Sequence, residues 1–327
     1  MSADGAPTAG AATTMKGWAG FALKAGLSIG ILAILAARTD LAHIAALLAS
    51  ISGGAIATVL ALIVAQTLVT AYRWVLVMAG VGVSVGLWPA VQALFASLFI
   101  NQCLPSYVGG DAYRVYWLYR EGNPFAAAVR GIMIDRVSAL IALVVMMVVS
   151  LPRLFERFPD QAVETAMAAV AAAGVAGTIV FFACDALPRA WRRVRVIAEL
   201  AELSTAARRM LLTSRKALLV GPLAFLVHVI SALIMYVLAR DLGLPLTAFD
   251  CLLLIPPIML LSAIPISISG WGVREGVMVG ALGMMGIGAD QAIALSVLLG
   301  VVLLLNGLLG LWPLTFGGDR FVAARNP

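Results

Sequence analysis

The chain has 327 residues, 62% of them hydrophobic and 12% charged, with a mean hydropathy of +1.03 and a formal net charge of +6. A soluble domain is about 45–50% apolar and about 25% charged, so this composition excludes both a soluble globular protein and a disordered one. Thirty-one glycines, many inside apolar runs, fit membrane helices.

The three cysteines (Cys103, Cys184, Cys251) are scattered and exclude a disulfide framework. With only His43 and His228 besides, no metal-ligand spacing occurs, and neither a metal nor a cofactor is expected. The positive charge lacks the basic patch interleaved with aromatics that nucleic-acid binding needs, so it reads as membrane topology and lipid contact.

In chain order, residues 1–16 are small and polar and are expected to be disordered. Six segments carry the roughly 20 apolar residues a span needs: 17–37, 55–79, 131–151, 162–183, 217–240 and 291–315. Two shorter apolar stretches, 90–104 and 250–264, end in Pro/Gly-rich sequence, and each is followed by a short, less apolar piece, 112–123 and 277–289. Stretches of that length read as re-entrant rather than spanning. The predicted fold is an all-α polytopic membrane protein of six spanning helices and two re-entrant broken-helix hairpins. Residues 17–160 form a first membrane repeat and 161–316 a second, with a tail at 317–327.

The loop at 184–216 holds Arg189, Arg192, Arg193, Arg195, Arg208, Arg209, Arg215 and Lys216, and the positive-inside rule makes it cytoplasmic. With six crossings both termini are then cytoplasmic, in a bacterial inner membrane. On that topology four basic residues are external (Arg38, Arg153, Arg157, Arg240), against thirteen on the cytoplasmic side.

Pro105–Arg114 and Pro265–Arg274 both read P-x4-G-x3-R, at an offset of 160 residues. The same offset carries the 55–79 and 131–151 spans onto later spans. Three crossings per half is odd, so the second half enters the membrane with opposite polarity: an inverted-topology repeat of the kind secondary transporters use.

Non-helical backbone at membrane depth is tolerated only where protein or a wet cavity satisfies its polar groups, so segments 104–111 and 265–273 imply a cavity. Half-helices beginning near Ala112 and Val273 would present free amide N–H groups, which favour anions. Arg114 and Arg274 add planar donor forks suited to phosphate. Asp111, Glu275 and the Asp135-Arg136 pair are ionisable groups at membrane depth, which are functional candidates. Alternatively, Asp111–Arg114, Asp135–Arg136 and Arg274–Glu275 neutralise each other and only hold the hairpins in shape. The candidate lipid-binding set is Pro105, Ser106, Gly109, Gly110, Asp111, Arg114, Asp135 and Arg136 with Ser267, Gly270, Gly272, Arg274 and Glu275. Of the remaining polar residues, Asn101 and Gln102 are expected to cap exposed carbonyls, and Arg73 to snorkel to headgroups. Trp74, Trp88, Trp117, Trp191 and Trp312 are expected in an interfacial belt.

At these residues the sequence resembles the lysylphosphatidylglycerol synthetase transmembrane region family, whose members are also described as flippase-like integral membrane proteins. Asn101-Gln102-Cys103-Leu104-Pro105-Ser106, Gly109-Gly110-Asp111, Arg114 and Asp135-Arg136 look like its first signature. Pro265-Ile266-Ser267 through Gly270-Trp271-Gly272-Val273-Arg274-Glu275-Gly276 looks like its second. Two positions depart from the pattern: Ala139 and Ser269 stand where the family often has glycine. The resemblance implies a lipid-translocating domain, fused in some members to an aminoacyl-lipid synthetase. Only residues 317–327 follow the last span, so no synthetase domain and no enzyme activity is expected.

The leading expectation is a flippase that moves an anionic, phosphate-bearing lipid between leaflets. Two other readings fit the same residues: a membrane-embedded transferase acting on a lipid-linked phosphate, and a non-catalytic lipid-binding subunit of an envelope-lipid pathway. The partners these readings allow are the anionic lipid, a lipid-biosynthesis enzyme and a second copy of the chain.

Overall fold

A computed structural model describes residues 41–103, 108–188, 191–262 and 272–316. No strand occurs among the described residues. The helices in chain order are α1 (Leu41–Ala49), α2 (Gly53–Gly80), α3 (Leu87–Cys103), α4 (Val108–Arg120), α5 (Phe125–Arg157), α6 (Gln161–Ala183), α7 (Arg195–Arg208), α8 (Ala217–Asp241), α9 (Ala248–Ser262), α10 (Val273–Gly283), α11 (Ala289–Leu309) and α12 (Leu311–Phe316).

Among the described residues, five helical stretches are long and apolar enough to cross a membrane: Gly53–Gly80, Phe125–Arg157, Gln161–Ala186, Ala217–Asp241 and Ala289–Thr315. Each covers one of the predicted spans. The predicted 17–37 span, the 1–16 segment and the 317–327 tail lie outside the described residues. Large apolar side chains stay exposed along these helices, Val149 at 72% and Leu218 at 76% among them, as a hydrocarbon solvent requires.

Local chemistry sets the helix ends. Ser52 caps α2, its hydroxyl accepting from Ala55 N, and the Asp241 carboxylate accepts from both the Ser52 amide and its hydroxyl. The start of α2 is thereby tied to the end of α8, along which it packs. Asp160 caps α6 through Ala162 N and Val163 N. Pro124 immediately precedes α5, where its fixed φ and missing N–H cost nothing. That helix runs 33 residues and so begins before, and ends after, the predicted 131–151 span.

Among the described residues the apolar side chains form four buried clusters. The largest joins α2, α5, α6, α8, α9, α10 and α11 around Met147, Met235, Leu254, Met278 and Leu295. The next largest lies under α3 and α4, with Trp74, Met78, Trp117, Leu118 and Ile132 at its centre. Between the halves, α3 packs on α11: a Cβ on Gly310 would stand 2.1 Å from Phe95 O, so only glycine allows the approach.

The helices near the two motifs begin and end differently from the sequence reading. Gly109, Gly110 and Asp111 are already helical, in the first turn of α4, rather than in a turn before it. Gly110 is needed there for packing: a Cβ would fall 2.3 Å from Ser97 O on α3. α10 starts at Val273 and ends at Gly283, ahead of the predicted 277–289 piece. Gly272, at φ +87°, uses a conformation that side chains rarely adopt and turns the chain into α10.

Candidate functional site

Three helices supply the first cluster. α2 contributes Arg73 and Trp74, α4 contributes Asp111 and Arg114, and α5 contributes Asp135 and Arg136. Asp111 and Arg114 are one turn apart on α4, and Arg114 Nη2 donates to Asp111 Oδ1 at 2.5 Å. The Arg136 guanidinium reaches the same carboxylate in a fork, Nε to Oδ2 at 2.8 Å and Nη2 to Oδ1 at 2.9 Å. Asp135 takes Arg73 Nε at 2.9 Å, while Arg114 Nη1 lies 3.6 Å from its other oxygen. Arg114 also stacks over Trp74, its Cζ 4.9 Å from the ring centroid, and Trp74 packs on Trp117 at 6.1 Å.

Three guanidinium groups therefore surround two carboxylates. Arg73 and Arg114 are each 3% exposed and Asp135 2%, whereas half of the Arg136 side chain reaches the surface. Arg73 Nη1, Trp74 Nε1, Arg114 Nε and Arg114 Nη1 are buried without a hydrogen-bond partner. All four are donors, and a buried donor without an acceptor costs about 1–3 kcal/mol, more where it is charged. The cluster is thus short of acceptors and of negative charge together.

The second cluster is built by α10 and α11. Arg274 Nη2 donates to Glu275 Oε1 at 2.6 Å, and Nε to the same oxygen and to Ser296 Oγ, both at 3.1 Å. Ser296 Oγ in turn donates to Glu275 Oε1 at 2.9 Å. The other carboxylate oxygen accepts from Gly272 N at 2.6 Å and caps α10. Arg274 is 5% exposed, Glu275 and Ser296 0%.

Several expectations need correction. Arg136 does not pair with its neighbour Asp135, whose carboxylate is taken by Arg73; it reaches Asp111 on α4 instead. Arg73 does not snorkel. It lies seven residues inside the end of α2, about 10 Å along the axis, and is neutralised by Asp135. Trp74 and Trp117, 0% and 7% exposed, belong to the core and not to an interfacial belt, whereas Trp88, Trp191 and Trp312 are exposed. Asn101 caps an amide rather than carbonyls, its Oδ1 accepting from Gly110 N at 2.7 Å. Gln102 does donate to a carbonyl, that of Leu303 on α11, at 3.1 Å. Of the amides expected to be free, Ala112 N lies inside α4, and the Gly272 amide just before Val273 is held by Glu275.

Of the candidate set, Gly109, Gly110, Asp111, Arg114, Asp135 and Arg136 are brought together where α4 meets α3 and α5, and Gly272, Arg274 and Glu275 at the start of α10. Pro105, Ser106, Ser267 and Gly270 lie outside the described residues. Arg73 and Trp74 were missed as members of the site, although an arginine so far inside a span is itself the signal.

No curated protein and no solved structure matches this chain. The family described as lysylphosphatidylglycerol synthase TM region matches residues 21–310, nearly the whole chain and both clusters. The motif resemblance and this match agree, and the chain belongs to that family, whose name links it to membrane lipid metabolism.

Proposed function

We propose that this protein is a lipid flippase, carrying an anionic, phosphate-bearing lipid between leaflets of the inner membrane with Arg114 as the principal phosphate ligand. The observation that carries the reading is the acceptor-poor cluster. A phosphate offers acceptor oxygens and negative charge, the two things Arg73, Trp74 and Arg114 lack. Arg114 can turn to such a ligand without stranding a buried carboxylate, since Asp111 keeps Arg136 and Asp135 keeps Arg73. Tails would stay in the bilayer while the headgroup passes.

Helix order supports an inverted repeat. Moved by 160 residues, α2 to α5 fall on 213–240, 247–263, 268–280 and 285–317, which overlap α8, α9, α10 and α11–α12. In each half the motif arginine reaches the following long helix, Arg114 to Asp135 and Arg274 to Ser296. α3, α4, α9 and α10 have 17, 13, 15 and 11 residues, short of the roughly 20 a span needs, which favours re-entrant hairpins. With the basic 184–216 loop in the cytoplasm, six crossings leave both termini there, and rocking of the halves would alternate access.

The test is exchange of fluorescent phosphatidylglycerol between leaflets of reconstituted vesicles. The protein should accelerate it over protein-free vesicles, and R114A should slow it by about tenfold or more, the equivalent of one charged hydrogen bond. Rates equal to protein-free vesicles for every anionic lipid tried would discard the flippase reading.

A further inference from the structure

A groove of about 260 Å³ opens beside the first cluster, lined by Ser138, Ala142 and Val145 of α5, Leu212 of the 209–213 turn, and Gly221 and Phe225 of α8. Its lining is overwhelmingly apolar. Leu212 is 65% exposed and Phe225 40%, so it opens sideways, between two helices long and apolar enough to span. Its one hydroxyl, that of Ser138, donates to the backbone oxygen of Asp135 at 2.8 Å, so the groove begins one turn along α5 from the residue whose carboxylate holds Arg73. At residue 221 the groove wall carries no side chain. A Cβ there would meet nothing within 4 Å, although glycine inside a helix costs about 1 kcal/mol relative to alanine.

We infer that this groove is a tail subsite, seating one acyl chain of the lipid whose phosphate the Arg114 cluster holds. The inference rests on the flippase reading for the identity of the headgroup, not for the groove itself. An acyl chain is the occupant that matches an apolar slot open to hydrocarbon at its side, one helical turn along α5 from Asp135 of the charged cluster. Arg215 and Lys216 precede Ala217, which also lines the groove, in the basic segment before α8.

The experiment is photolabelling of the full-length protein in vesicles containing phosphatidylglycerol with a diazirine on one acyl chain, read by peptide mapping. Labels should concentrate on Ala142, Leu212 and Phe225 over the exposed α6 residue Ile179. Gly221→Trp fills the slot and should lower groove labelling by about tenfold, the effect of excluding about two methylenes from an apolar contact. Gly177→Trp, at another glycine whose Cβ would meet nothing, should leave it unchanged and controls for added bulk. Labelling of the groove no denser than at Ile179 overturns the subsite, as does groove labelling that Gly221→Trp leaves intact. A diacylglycerol bearing the same diazirine separates the two ideas. If it labels the groove while no anionic lipid is moved, the flippase reading fails and the tail subsite stands.

Discussion

The two motif arginines occupy equivalent places in sequence and opposite situations in space. Arg274 is closed in a neutral knot with Glu275 and Ser296, in which the carboxylate also caps α10 through Gly272 N. Arg114 stands among two further arginines and two aspartates, with donor atoms left over. The difference traces to where the acid lies. Residue 295, equivalent by the 160 offset to Asp135, is a fully buried leucine, and the second cluster's acid is next to its arginine instead. One carboxylate balances one guanidinium there, so that cluster is a fastening, whereas the first has an arginine to spare for a ligand.

The largest effect expected from breaking this contrast is at the fastening. Glu275→Ala leaves a 5% exposed guanidinium without its carboxylate and uncaps α10, and should cost about 3–5 kcal/mol. Thermal unfolding in detergent would register it as a collapse of the folded fraction, while Glu275→Gln, which can still accept from Gly272 N, should lose less. A Glu275→Ala protein as stable as the parent would mean the second cluster is not a fastening. At the first cluster, Arg114→Ala should cost less, about 1–3 kcal/mol, each aspartate retaining one arginine, and remove most of the lipid exchange. Loss of stability equal to that of Glu275→Ala would put both arginines in the same structural role.

Much of this was legible in the chain. Five spans follow directly from apolar length, because hydrocarbon forces backbone hydrogen bonds into long helices. The two motifs and their offset were equally plain. Who pairs with whom was not. Adjacency in sequence suggested Asp135–Arg136, but α2 brings Arg73 to Asp135, and only packing of α4 on α5 sets Asp111 before Arg136. Arg73 and Trp74 joined the site for the same reason: the angle at which α2 faces α4 and α5 is a tertiary fact. Gly110 looked like a turn residue and is a contact residue, since glycine in a sequence does not say whether φ or space is what it serves.

Gly110 offers a sharper probe of that packing. Gly110→Ala drives a Cβ to within 2.3 Å of Ser97 O, a backbone atom that cannot swing aside, and should cost about 1–3 kcal/mol despite alanine's better helix propensity. Gly276→Ala on α10, where a Cβ would meet nothing within 4 Å, should instead be neutral or stabilising by up to about 1 kcal/mol. Equal unfolding midpoints for the two variants would contradict the close approach of α4 to α3.

The smallest effect expected is at Arg136. Its side chain is half exposed, so its fork on Asp111 is screened, and Arg136→Gln should shift stability by no more than about 1 kcal/mol. Its functional effect runs opposite to intuition. Without Arg136, Asp111 depends on Arg114 alone, and Arg114 can then leave for a phosphate only by stranding a mostly buried carboxylate. Lipid exchange should therefore fall, and Asp111→Asn in the same chain should restore part of it by removing the carboxylate that holds Arg114 back. A double variant slower than Arg136→Gln alone would show that Arg136 contacts the lipid rather than freeing Arg114 to do so.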